Sequence, residues 1–163
     1  MKAHVQNLTL PENRRILAVS DIHGNLPYLR GLLEKARFSE SDVLVIVGDL
    51  LEKGPQSLDT LRFVMELGKK HEVHTVCGNC DWWFHILYTP ELIDSSHSLW
   101  YINHKPRNLA RQRCEEIGYK VSEDMDVLHM RDTLAAAFPA EFEFLSKMPE
   151  VLDAGDYVFA TSL

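Results

Sequence analysis

Three short apolar runs punctuate the first half of the chain. ILAVS (16–20), VLVIV (43–47) and VHTVC (73–77) barely alternate, and they stop at Asp21, at Gly48-Asp49 and at Gly78-Asn79. Runs of that kind suit parallel strands buried on both faces. Between them the apolar positions change to helical spacing. Leu26, Leu29, Leu32, Leu33 and Ala36 share one helix face, with Asn25 placed as N-cap and Pro27 in the first turn. Leu58, Leu61, Val64 and Met65 repeat the pattern between Gly54-Pro55 and Gly68. Strand, helix, strand, helix, strand at about 30 residues per unit is the arrangement of βαβ crossovers. The fold class read from this pattern is α/β with a mostly parallel sheet.

The second half has a different rhythm. Trp82, Trp83, Phe84, Ile86, Leu87 and Tyr88 make an aromatic-rich segment of helical character. Residues 106–118 and 125–137 carry helical spacing, and 140–148 a shorter piece with Phe142, Leu145 and Met148. No strand signal follows until YVFA (157–160). The pattern predicts a helical insertion over about 82–152, covering an edge of the sheet. Without a repeat, low-complexity tract or Gly/Ser linker, residues 1–163 read as one domain.

Composition narrows the function classes. The chain of 163 residues is long enough for one sizeable core, and 45% apolar with 25% charged residues is ordinary for a globular protein. A formal net charge of −7 argues against a nucleic-acid partner. The apolar runs fall far short of the roughly 20 residues that span a membrane. Three cysteines and no apolar leader predict a reducing, cytoplasmic setting without a disulfide framework.

Chemistry collects at the strand ends. In open α/β sheets the carboxyl ends of parallel strands border one crevice, where ligands bind. The loops after the three runs would bring Asp21, His23, Asp49 and Asn79 to that crevice: two carboxylates, an imidazole and an amide. Such an oxygen and nitrogen set suits Mn, Fe or Zn. Asp49, on the middle loop, is placed to bridge two ions, and two ions about 3.5–4 Å apart can clamp a phosphoryl group and activate a water.

DIHGN, GDLLEKGP and GNCD, spaced 28 and 30 residues apart, resemble the calcineurin-like metallophosphoesterases, most closely their serine/threonine-phosphatase-like branch. That family's pattern is D-x-H, G-D-x-x-x-R-G and G-N-H-[DE], with further histidines later in the chain. The resemblance covers residues 15–81. It implies part of an αββα sandwich and a dinuclear pair of divalent metal ions. Asp21 and His23 would hold the first ion, Asp49 would bridge and Asn79 would hold the second. The implied reaction is hydrolysis of a phosphomonoester, on a phosphorylated small molecule or a phosphoprotein, by a metal-activated water.

The chain departs from that pattern in three places. Lys53 stands where the family has a phosphate-contacting arginine, keeping the charge without the bidentate fork. Cys80 replaces the histidine of G-N-H-[DE], and Asp81 occupies the acidic position, expected to take part in catalysis by orienting that group. The family's later histidines, of the form strand then H-[AG]-G, have no counterpart: YVFA runs into Thr161. The expectation is a C-terminally incomplete domain of reduced metal affinity and turnover, with apolar sheet surface left for self-association.

Other readings stay open at this point. A non-catalytic remnant would bind metal or phosphate without turnover. Cys77-Gly78-Asn79-Cys80 is also a C-x-x-C motif after a strand, as in thiol oxidoreductases. Against the latter, Asp21, His23 and Asp49 would then have no task, and Cys114 alone completes no zinc knuckle. Trp82 and Trp83 read as core, and His85, His97, His104 and His129 as packed or solvated side chains. Arg107, Arg111 and Arg113 read as a solvated helix face, a grip on anionic substrate being the lesser reading.

Overall fold

The computed structural model describes residues 3–82, 95–105 and 107–161. A short strand, β1 (Val5–Asn7), precedes the first apolar run. The three runs are β2 (Arg15–Val19), β3 (Asp42–Val47) and β4 (Glu72–Val76), joined by helices α1 (Leu26–Lys35) and α2 (Ser57–Gly68). They form a parallel sheet in the order β2-β3-β4. The register is set where the strands begin: Arg15 lies opposite Asp42, and its guanidinium donates to both carboxylate oxygens of Asp42 at 2.9 Å. Arg14 is hydrogen-bonded to Glu72, which ties β2 to the third strand of the sheet.

The central strand shows why the apolar runs do not alternate. Leu44 and Ile46 of β3 pack with the helices, whereas Val43 and Val45 pack with Val76, Leu152 and Phe159 on the opposite side. All four β3 side chains have 0% exposure, so both faces of this strand are core. Each contributes about 1.5–3 kcal/mol relative to an exposed position.

The second half supplies the remaining layers. Helices α3 (Ser95–His104), α4 (Leu109–Glu116), α5 (Val127–Ala137) and α6 (Pro139–Ser146) add Ile102, Leu109, Met130, Leu134 and Leu145 to the helix-side core. Strands β5 (Val151–Asp153) and β6 (Val158–Ala160) then form a second sheet in the order β1-β5-β6. β1 pairs parallel with β5, and β6 pairs antiparallel with it. Helices, a parallel sheet and a smaller mixed sheet stack in that order, as an αββα sandwich without its last helical layer among the described residues. Val5, Tyr157 and Val158 leave apolar surface exposed on the smaller sheet.

Several expectations need correction. The helical stretch expected to reach residue 152 ends at Ser146, and Val151–Asp153 is a strand. β1 was not expected either. Three-residue strands carry no periodicity of their own and exist through pairing with each other. Arg113 is not on a solvated face: it has 0% exposure and its guanidinium lies 4.9 Å and 5.1 Å from the rings of Phe138 and Phe142. Asn25 starts α1 as expected, but its amide donates back to the carbonyls of Ile22 and His23 and not into the helix. Trp82 packs against the core, and the rest of the aromatic segment after it lies outside the described residues.

Candidate metal centre

Parallel strands aim their carboxyl ends at one edge, and backbone hydrogen bonds weld the loops there. The N–H of Asp21 donates to Gly48 O at 3.3 Å, that of His23 to Asp49 O at 2.8 Å, and that of Gly24 to Leu50 O at 2.9 Å. These bonds hold side chains in a conformation they otherwise avoid. Asp21, His23, Asp49, Glu52 and Lys53 all have positive φ, between 49° and 70°. Left-handed backbone costs a non-glycine residue of order 1–3 kcal/mol, and such strain concentrates at functional sites.

The side chains converge. Nε2 of His23 lies 3.6 Å from Asp21 Oδ1 and 3.6 Å from Asp49 Oδ2. Its Nδ1 faces the carbonyl of Leu51 at 3.3 Å, a partner that orients the ring and leaves Nε2 turned to the carboxylates. Asp49 Oδ1 accepts from the N–H of Cys80 at 2.9 Å. The Asn79 side-chain amide faces Asp49, and in the orientation that satisfies its hydrogen bonding its nitrogen lies 3.2 Å from both carboxylate oxygens. All four residues expected as metal ligands therefore meet around Asp49, the middle one. Lys53 joins them, with Nζ 3.2 Å from His23 Nε2.

Asp81 has a different place. Its carboxylate is 1% exposed and faces inward, accepting from the N–H groups of Gly78 (3.0 Å), Leu51 (2.9 Å) and Leu50 (3.3 Å). It clamps the loop after β4 to the loop after β3. Burial pushes its pKa up to about 6, against the pull of the three donors.

The cysteines are not arranged as a redox pair. Cys77 has 0% exposure, and its thiol donates to the carbonyl of Gly78. Burial drives Cys77 far above the ordinary thiol range and Cys80 up to about 11. An attacking thiolate requires the opposite shift.

A cavity of about 320 Å³ adjoins the converged loops. Glu52, Lys53, Asn79 and Cys80 line one side of it, and Tyr101, Lys105, Arg107 and Asn108 the other. The helical region therefore adds two cations, Lys105 and Arg107, to the Lys53 of the loops. Glu52 fastens the two sides together. It is 7% exposed, accepts from the N–H of Leu109 at 2.8 Å and bonds the Tyr101 hydroxyl. Burial raises its pKa to about 7. Sequence reasoning missed Glu52, because a glutamate next to a lysine reads as surface. It also missed Lys105, although two basic residues around Pro106 were a signal.

The donor set fits a divalent cation. Carboxylates, an imidazole and a thiol surround a point where the structure already seats a positive charge, the Lys53 ammonium. Thr161 packs against the same loops: a β-carbon on Gly48 would lie 2.5 Å from its methyl group.

Comparisons with known proteins agree with this geometry. The sequence profile of the calcineurin-like phosphoesterases matches residues 14–148. A symmetrical bis(5'-nucleosyl)-tetraphosphatase of Thioalkalivibrio sulfidiphilus is 49% identical over 67 residues, covering 40% of this chain and 24% of the relative. The enzyme of that name from Buchnera aphidicola is 50% identical over 64 residues, 39% of this chain and 22% of the relative. The matched segment thus spans less than a quarter of the length of these relatives. A crystal structure of a candidate diadenosine tetraphosphatase superposes with a TM-score of 0.57 at 25% identity, over 98% of this chain and 54% of that one.

Proposed function

From the premise that the chain belongs to the calcineurin-like phosphoesterases, we propose that it hydrolyses a dinucleoside polyphosphate or a close small-molecule analogue, using a pair of Mn, Fe or Zn ions. One observation carries this reading: the donors around Asp49 open directly into a cavity lined by Lys53, Lys105 and Arg107. Three cations suit a chain of phosphates better than a single phosphoester on a protein surface.

In this reading Asp21, His23, Asp49 and Asn79 would hold the ions. The ions, when bound, supply Lewis acidity for a phosphoryl oxygen and for the attacking water. The chain's residues do the remaining work. Lys53, in the cavity lining, would offer its charge to the phosphate. Lys105 and Arg107 hold the rest of the polyphosphate across the cavity. Asp81 is a positioning residue that fixes the loops bearing Asp49 and Asn79. The absence of a histidine at position 80 fits an anhydride substrate. Its leaving group departs as a stable phosphate anion and needs little protonation, so a missing general acid costs less than it would for an alkyl ester.

The test is release of nucleotide from a dinucleoside tetraphosphate in the presence of Mn²⁺, Fe²⁺ or Zn²⁺, compared with a phosphoserine peptide and p-nitrophenyl phosphate. Metal-dependent turnover favouring the tetraphosphate and lost in Asp49→Ala supports the proposal. Equal rates for wild type and Asp49→Ala reject it. Metal binding without turnover would reject hydrolysis and favour a non-catalytic binding module.

A further inference from the structure

We infer that Cys80 is itself a metal ligand, so that the first ion is bound by sulfur as well as by oxygen and nitrogen. The inference rests on the metal centre proposed above and concerns which atoms complete it. Cys80 stands at the family's histidine position, yet its thiol is turned inward. It is 7% exposed, and donor atoms of Cys80, His23 and Asp49 all lie within 4.8 Å of one another. The orientation is imposed by the main chain. The N–H of Cys80 donates to Asp49 Oδ1 at 2.9 Å, which fixes the thiol beside the carboxylate.

Donor atoms on one zinc ion, each about 2.0–2.3 Å from it, lie about 3.3–3.8 Å apart. From separations of at most 4.8 Å, the three groups need to close by about 1–1.5 Å at most. Sulfur at that ion shifts its preference from Mn or Mg toward Zn, Cd or Co. Binding releases the thiol proton to solvent, leaving the thiolate on the metal.

Cobalt(II) substitution of the full chain tests this without reference to activity. Thiolate bound to cobalt gives a sulfur-to-metal charge-transfer band in the near ultraviolet. The band is expected in the wild type and in Cys114→Ala, whose cysteine lies in α4 away from the centre. It should vanish in Cys80→Ser, with cobalt and cadmium affinity down by at least about tenfold and manganese affinity nearly unchanged. Cobalt bound without the band, or a band that survives Cys80→Ser, overturns the sulfur ligand and leaves the phosphoesterase reading standing. Absence of any cobalt, zinc or manganese binding overturns both.

Discussion

Gly78 and Asp49 are packed so closely that a β-carbon at position 78 would lie 2.4 Å from Asp49 Oδ1 and 2.3 Å from its amide nitrogen. The glycine of the third loop thus sets how near that loop comes to the middle carboxylate. Gly78→Ala should push the loops apart, lower stability by about 1–3 kcal/mol and abolish metal binding. Gly31→Ala serves as the opposite control, since nothing lies within 4 Å of the added carbon on α1. It should leave metal binding alone and raise stability by about 0.5–1 kcal/mol. Thermal melting and isothermal metal titration read both.

Arg15 and Asp42 should make the parallel sheet acid-labile. The Arg15 guanidinium, with the Ser39 backbone N–H, holds the Asp42 carboxyl down to about 2. A depressed carboxylate stabilises the fold fully above the unfolded value, near pH 4, and loses that contribution as pH falls toward 2. Asp42→Asn should be less stable at neutral pH and show a flatter acid limb in denaturation followed by circular dichroism. An unchanged limb would remove this pair from the account of the fold.

Glu52 predicts the reverse slope at higher pH. Its carboxyl is raised by burial from the usual 4.5 to about 7. The folded chain then keeps a proton that the unfolded chain has released, so this group's contribution falls as pH rises from about 4.5 to 7. Glu52→Gln should cancel that fall. Glu52→Ala should also free the start of α4, where Leu109 N–H donates to it, and raise KM more than it lowers kcat. Urea denaturation across pH, together with steady-state kinetics, distinguishes the two effects.

Lys105 and Arg107 should discriminate between substrates. Each faces the cavity across from Lys53. A hydrogen bond to a charged phosphate oxygen is worth about 1.5–3 kcal/mol. Lys105→Ala and Arg107→Ala should therefore raise KM for a dinucleoside tetraphosphate by about tenfold or more, with little change for p-nitrophenyl phosphate, which cannot reach them. A uniform loss on both substrates would assign these residues a structural task.

The first half of the fold was legible because its signals are local. β2, β3 and β4 are apolar runs that end in turn residues, and the helices between them repeat at helical spacing. Parallel connection then forces the three loops to one edge, which is why Asp21, His23, Asp49 and Asn79 could be grouped before any coordinates. The amino-acid sequence by itself thus determined which donors meet, and the family pattern named the reaction class. The tertiary structure alone decided which way side chains at neighbouring positions face. Asn79 turns to Asp49, Asp81 turns inward to clamp three amides, and Cys80 points its thiol at the ligands. It also decided that Arg113 is stacked in the core, that Glu52 is buried and that β1 and β5 exist at all. These features depend on partners tens of residues away, and neither burial nor pairing across such separations leaves a periodic mark on the chain.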